Sequence, residues 1–274
     1  MNQALWRKAV REAWKQLVGS ALLLFAFAWL FVWLMSMIDV GVWGKILRVL
    51  PPFVQPMVGV PLADLATPTG QISFLYVHVV TILVCLSWAV GRGSAVVSGE
   101  ISRATLDLVA SLPVRRMELL LPPAVAAAAG SAVLAGSLWG GTVVGLATVG
   151  MLDAASPWPF VRGAVNLGLM TFAMTGVTTL LSACDRDRWR TIFLAGAFYA
   201  VSAIVKMVAR MWEQGDWLKF FSLLTAFEPQ QAILLEPGPG TPLLIYDTTL
   251  FVVGLICYLA AAFVFHRRDI PTAI

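Results

Sequence analysis

Residues 98–116, SGEISRATLDLVASLPVRR, form a charged stretch between two long apolar runs of the chain. Its five charged side chains keep it out of a bilayer core, and Pro113 ends the helical pattern. Ile101, Leu108 and Leu112 recur at helical spacing and give the stretch one apolar face. The pattern predicts a short amphipathic helix that a partner can bind. A membrane-surface helix or a solvated connecting loop fits the same pattern.

The composition is typical of an integral membrane protein. Of the 274 residues, 59% are hydrophobic and only 12% are charged. A soluble domain of this size would expose large apolar patches. The basic residues lie at the ends of apolar runs and not in a cluster, which argues against nucleic-acid binding. We therefore predict an all-α polytopic membrane protein.

Six apolar runs are long enough to cross a bilayer as helices. Residues 1–17 alternate apolar and basic side chains, which predicts an amphipathic interfacial helix lying flat on the cytoplasmic surface. Pro122 and Pro123 fit the first turn of the third span. The predicted spans of the 18–274 transmembrane domain are about 18–38, 72–95, 122–152, 161–183, 191–208 and 245–265.

Two connections between spans are long. Residues 39–71 are interrupted by prolines but keep apolar side chains, so we expect them to lie along the outer leaflet. Residues 211–244 begin with aromatic side chains and end in EPGPGTP, which predicts short interfacial helices followed by a rigid loop. Lys206 and Arg210, at the end of the fifth span, are placed to snorkel outward.

Basic residues predict the orientation. With six spans and the amino terminus inside, thirteen Lys and Arg lie on the cytoplasmic side and six on the other side. Cytoplasmic segments carry the excess of basic residues in membrane proteins. Both termini and the 98–116 stretch are therefore predicted to be cytoplasmic.

Several polar and small residues within the spans have two interpretations. His78 is a functional site or an interhelical hydrogen-bond partner. Asn166 and the threonines near it either line a polar path or bond to their own helix. A small-xxx-small pattern in the third span predicts close helix packing, within the chain or at a dimer contact, by Gly136, Gly140, Gly141 and Gly145.

The sequence offers no catalytic residues. It lacks a GxxxxGK[ST] phosphate-binding loop and an HExxH zinc motif. Ser94 and Ser98 are predicted on the cytoplasmic side, far from His78, which disfavours an intramembrane serine hydrolase. We expect no metal or cofactor in this chain. We expect a partner protein to supply the energy that drives its movement.

The run from 97 to 121 resembles the cytoplasmic loop of the ABC transporter type-2 exporter permease family. The likeness is carried by Ser98-Gly99-Glu100, Thr105-Leu106-Asp107-Leu108, Leu112-Pro113-Val114 and Arg115. The amphipathic amino-terminal helix, the glycine-rich third span and the closing Arg267-Arg268-Asp269 are also similar. Pro122-Pro123 departs from the small residue and lysine that members often carry there.

The resemblance implies the membrane subunit of an exporter in the bacterial inner membrane. Two permease copies, identical or paralogous, would work with two cytosolic ATPase subunits that bind ATP and Mg, and membrane lipid would surround them. Substrate would meet the second and fifth spans. A membrane anchor that does not transport is the alternative. The resemblance places contacts to the ATPase at Glu100, Arg103, Thr105, Asp107, Leu108, Leu112, Pro113, Arg115 and Arg116.

Overall fold

The computed structural model describes residues 3–49, 59–102, 116–235 and 242–267. Six helical stretches in this part of the chain are long and apolar enough to cross a membrane, which confirms the all-α, multi-pass architecture. In chain order the helices are α1 (Gln3–Ser36), α2 (Val40–Arg48), α3 (Leu62–Leu65), α4 (Pro68–Ser73), α5 (Val79–Ala95), α6 (Ser98–Ser102), α7 (Arg116–Thr148), α8 (Pro159–Cys184), α9 (Arg188–Met211), α10 (Pro229–Leu234) and α11 (Leu243–Arg267).

Hydrogen bonds between helix termini define the two ends of the bundle. At one end, the Ser98 hydroxyl lies 3.1 Å from those of Ser182 and Thr191, which joins α6, α8 and α9. At the other, the Asn166 side chain donates to the Asp247 carboxylate at 2.7 Å and accepts from Glu228 N at 2.9 Å, which joins the second turns of α8 and α11 to the residue before α10. We call these the Ser98 end and the Glu228 end.

The first helix is longer than the sequence predicts. Residues 3–17 continue into the first span without a break, and the 34-residue helix is about 51 Å long. Ala9 and Ala13 are buried, because the apolar face of this part packs on the rest of the bundle. The expected separate helix, flat on the membrane, is therefore replaced by a continuous α1.

The second span is interrupted at His78. It comprises α4, a 3₁₀ turn at Phe74–Val77 and then α5, and His78 has an extended backbone. Its Nδ1 atom accepts a hydrogen bond from Val80 N at 3.2 Å, so the imidazole caps α5. The Thr81 hydroxyl donates to Leu75 O at 2.8 Å, which satisfies a carbonyl freed by the break. The sequence had predicted one unbroken helix over 72–95.

The third span begins earlier than predicted, so its two prolines do not lie in its first turn. Pro122 and Pro123 lie in the interior of α7, which already includes Arg116. At the other terminus α7 ends at Thr148 and not near 152, because Gly150 adopts a φ of 68°. Met151 N then donates to Leu146 O at 3.0 Å and closes the helix. Prolines favour a first turn but do not require it.

Burial differs sharply among the spans. In the most apolar eighteen residues, 61% are buried in α8 but only 11% in α9, so α8 is central and α9 peripheral. The hydroxyls of Thr171, Thr175 and Thr178 each donate to a carbonyl of α8 itself, which confirms the prediction of bonding to their own helix. These bonds leave α8 able to sit among apolar neighbours.

The four glycines of the predicted small-xxx-small pattern in α7 divide into two pairs. A Cβ at Gly141 would lie 2.4 Å from Phe25 O, and one at Gly145 would lie 2.8 Å from the Val32 Cβ. These two glycines therefore pack α7 against α1 of the same chain. A Cβ at Gly136 would have no heavy atom within 4 Å, and one at Gly140 would make ordinary contact with the Phe25 ring. Dimer contact through Gly136 and Gly140 stays a prediction.

The segment after α9 contains the expected short helices. Two 3₁₀ helices, Glu213–Phe221 and Leu223–Ala226, precede α10. Trp217, Phe220 and Phe221 are exposed, as suits an interfacial position. The predicted EPGPGTP loop lies outside the described residues except for Pro242.

Candidate functional site

The predicted partner-binding stretch is described at its two flanks. Glu100 lies in α6, and α7 begins at Arg116. Outside the described residues lie Arg103, Thr105, Asp107, Leu108, Leu112, Pro113, Arg115 and the side chain of Arg116. The described geometry of this site is therefore that of its two flanks, up to residue 102 and from residue 116.

Hydroxyl groups fasten α6 to α8. The Ser182 Oγ atom accepts hydrogen bonds from Val97 N at 3.2 Å and from Ser98 N at 2.9 Å. The Ser98 hydroxyl donates to Ser94 O at 2.9 Å. All three serines are fully or almost fully buried. Buried polar groups bonded in this way fix the position of α6 relative to α8.

The first turn of α9 also bonds to the end of α5 and to α6. The Arg188 guanidinium donates to Gly91 O at 3.3 Å and to the Ser94 hydroxyl at 3.4 Å. Its backbone N–H donates to the Ser102 hydroxyl at 3.3 Å. We call residues 94–102, with Ser182, Arg188 and Thr191, the segment base.

An ion pair joins the segment base to α1. Lys8 Nζ lies 3.0 Å from Glu100 Oε2, and the Glu100 side chain is the less exposed of the two. Nearby, the Arg92 guanidinium donates to Glu12 O at 3.3 Å. A small cavity of about 50 Å³ separates these groups from Phe265 of α11. The part of α1 expected on the membrane surface thus contacts the predicted partner-binding region.

The two flanks of the 103–115 segment belong to one apolar cluster. Val97 comes before the segment and Leu120 after it, and both are buried. The same cluster includes residues of α8 and α11, and its buried members are Val96, Val97, Leu120, Ala124, Ala183, Ala261 and Phe265. The flank before the segment and the flank after it are therefore held in the same apolar cluster.

A polar cluster at the Glu228 end escaped the sequence analysis. Lys206 Nζ lies 2.9 Å from Glu228 Oε1 and donates to Phe227 O at 2.6 Å. Arg210 donates to the same oxygen of Glu228. Both basic side chains thus turn towards the protein, where the sequence had placed them to snorkel outward. Their spacing of four residues, which puts them on one face of α9, was the available signal.

Asn166 orients this cluster from the central helix. Its amide nitrogen donates to Ala226 O at 3.0 Å as well as to Asp247, and its oxygen accepts from Glu228 N at 2.9 Å. The side chain therefore fixes the backbone that carries Glu228. Asn166 was one of the polar candidates in the fourth span, and its role proves different from that of the threonines.

The residues considered for hydrolysis do not meet. His78 caps the first turn of α5, while Ser94 is in its last turn and Ser98 follows it. Along the 17-residue helix this separates them by roughly 24 Å. The Ser98 hydroxyl instead donates to Ser94 O at 2.9 Å, and the Ser94 hydroxyl donates to Gly91 O at 3.3 Å.

Comparison with known proteins adds no relative. No protein-family model matches the chain, and no curated protein matches it. What stands is a multi-pass helical architecture with a polar cluster at each end of the bundle.

Proposed function

We propose that this chain is the membrane-spanning permease subunit of an ATP-binding cassette exporter. A separate cytosolic ATPase would bind the 98–116 stretch and drive alternating access. The observation that carries the proposal is the shared apolar cluster of Val97 and Leu120, which fixes both flanks of the 103–115 segment. We place both termini in the cytoplasm of a bacterial cell, in agreement with the basic-residue count.

Fixed flanks suit the transmission of force. A flexible connection would absorb a partner's movement, whereas a segment held at both flanks passes it to the helices that hold it. The hydroxyl bonds of Ser182 and Ser102 and the Lys8–Glu100 pair distribute that movement to α8, α9 and α1. In this proposal Leu108 and Leu112 fill a pocket on the ATPase, and the charged residues pair at its rim.

The proposal includes a second permease copy. The peripheral helix α9 exposes Phe193, Val201 and Ile204, which lipid or another copy can cover. Gly136 and Gly140 remain the proposed dimer contacts on α7. ATP and Mg would be bound by the ATPase and not by this chain.

Co-purification of ATP hydrolysis tests the proposal. The affinity-tagged chain is purified in mild detergent from the cell that makes it, and hydrolysis is measured after reconstitution in liposomes. We expect activity with the wild-type chain and its loss with Leu108→Glu or with Arg115→Glu/Arg116→Glu. Lys45→Glu, in α2 at the Glu228 end, is the control and retains it. Equal activity in all variants, or none with the wild type, contradicts the proposal.

A non-transporting anchor gives a different result in the same material. An anchor would hold the ATPase but would not change its rate in response to a transported compound. For an exporter we expect a lipid or drug to stimulate hydrolysis only when this chain is present. Stimulation of the isolated ATPase to the same extent would favour the anchor.

A further inference from the structure

Two cavities lie between the second and fifth spans at the Glu228 end. One of about 250 Å³ is lined by Phe74, Gln230 and Glu228, and one of about 230 Å³ is lined by Ile82, Tyr199 and Met207. The residues that line both are Val77, Lys206, Arg210 and Phe227. The two spaces therefore share the same pair of cations, and Glu228 and Gln230 line only the first.

The cations are arranged around a single carboxylate oxygen. Lys206 and Arg210 both bond Glu228 Oε1, and the side chain of Glu228 is only 8% exposed. An ammonium group has three donors, and Lys206 uses two of them for Glu228 and for Phe227 O among the described residues. A ligand acid can therefore bond Lys206 without any rearrangement of the backbone.

A glycine leaves room for the guanidinium. Gly59 has a φ of 75°, and a Cβ built on it would lie 2.5 Å from Arg210 Nη2. Gln231 Nε2 donates to Gly59 O at 2.9 Å and holds this backbone beside α10. Any other residue at 59 would be strained and would displace the guanidinium. Gly59 therefore helps to fix the position of the Arg210 guanidinium.

We propose that these cavities bind a single-chain amphiphilic anion. Its acidic group lies between Lys206 and Arg210, where charge-assisted hydrogen bonds are strong. Its apolar chain runs along Ile82, Tyr199 and Met207. Glu228 holds the cations in place when no ligand is bound and competes with the ligand's acid. The cavity that takes the chain, about 230 Å³, is smaller than the roughly 300 Å³ at which typical ligand sites begin, which favours one chain over a two-chain phospholipid.

The inference names a substrate class and in that respect rests on the proposed exporter function. The binding site itself is tested on the purified full chain without any ATPase. Decanoate binding without stimulated ATP hydrolysis would contradict the exporter and leave the site standing. Stimulated hydrolysis by other compounds, without decanoate binding, would contradict the site alone.

The experiment measures decanoate binding by calorimetry in phosphatidylcholine nanodiscs, with empty discs subtracted. We expect saturable binding of decanoate and at least about tenfold weaker binding of decanol, which lacks the charge. Lys206→Gln should weaken decanoate about tenfold, Lys206→Arg should largely restore it, and Glu228→Gln should strengthen it by removing the competing acid. Lys219→Gln, which alters an exposed pair with Asp216, is the control and leaves binding unchanged.

Four outcomes would overturn the inference. Equal binding of decanoate and decanol removes the role of the cations. Unchanged binding in folded Lys206→Gln protein likewise removes the role of the cations. Weaker binding in folded Glu228→Gln protein removes the proposed competition. Displacement of decanoate by phosphatidylglycerol in the discs at equal potency assigns the site to a phospholipid. Helicity and the unfolding midpoint establish that each variant is folded. If Glu228→Gln does not fold, the result with Lys206→Gln decides the question.

Discussion

Lys8 Nζ and Glu100 Oε2 lie 3.0 Å apart, so the first turns of α1 contact the short helix that precedes the 103–115 segment. These residues are 92 positions apart in the chain. The contact places the basic amino-terminal part of the chain against the predicted partner-binding region. A partner that moves the 98–116 stretch would therefore move α1 as well.

A charge exchange tests this connection. Lys8→Glu places a third carboxylate beside those of Glu12 and Glu100, and we expect it to lower partner-coupled ATP hydrolysis. The pair is partly exposed, so its contribution to stability is small, about 0.2–1 kcal/mol. Lys8→Glu combined with Glu100→Lys should restore hydrolysis without changing the unfolding midpoint. Failure of the double variant to recover, with both proteins folded, would mean that the ion pair does not carry the coupling.

Removal of the Ser182 hydroxyl should loosen the segment base. Ser182→Ala deletes the acceptor shared by Val97 N and Ser98 N, and we expect a loss of about 1–3 kcal/mol in stability. Ser137→Ala is the matched control, because its hydroxyl donates to Val133 O of its own helix. Denaturant unfolding of the purified proteins measures both. Equal stability of the two variants would contradict the structural role of Ser182.

The α1–α7 contact predicts a contrast between two glycines of one helix. Gly141→Ala forces a methyl group against Phe25 O, a backbone atom that cannot move away alone, and should cost about 1–3 kcal/mol. Gly136→Ala meets open space and should be neutral or slightly stabilising, since alanine favours a helix. Thermal unfolding in detergent compares them. A destabilising Gly136→Ala in the assembled protein only would instead indicate a contact between copies.

The predicted orientation is tested by cysteine labelling of intact cells. The three native cysteines are first replaced, and single cysteines are introduced at Thr105 or at Lys45. A membrane-impermeant maleimide should label Lys45→Cys in intact cells and Thr105→Cys only after permeabilisation. Labelling of Thr105→Cys from outside would place the 98–116 stretch on the wrong side for a cytosolic ATPase.

The spans were predictable because bilayer thickness dictates the length of an apolar run. The predicted fourth and sixth spans, 161–183 and 245–265, differ from α8 and α11 by only one or two residues at each terminus. The continuity of α1 was not predictable from amphipathicity, because its apolar face suits lipid or protein equally. Small Ala9 and Ala13, which allow close helix packing, were the available signal. The break at His78 was missed because histidine is a weak indicator of a helix start.

The polar clusters were harder to predict than the spans. Lys206 and Glu228 are 22 positions apart and separated by irregular structure, so no helical periodicity relates them. Ser182 and Ser98 meet only because two long helices end at the same side of the bundle. Glu100 was expected to be a contact residue from the family resemblance, but its pairing with Lys8 required the fold. Whether Glu100 also contacts an ATPase stays a prediction.

Photo-crosslinking from position 108 tests the central claim most directly. A photoreactive side chain replaces Leu108 in the full chain, native membranes are irradiated, and adducts are identified by mass spectrometry, with the same side chain at Lys45 as control. We predict that position 108, and not position 45, forms an adduct with an ATP-binding subunit. An adduct with lipid alone, or the same proteins captured from both positions, would contradict a docked ATPase at the 98–116 stretch.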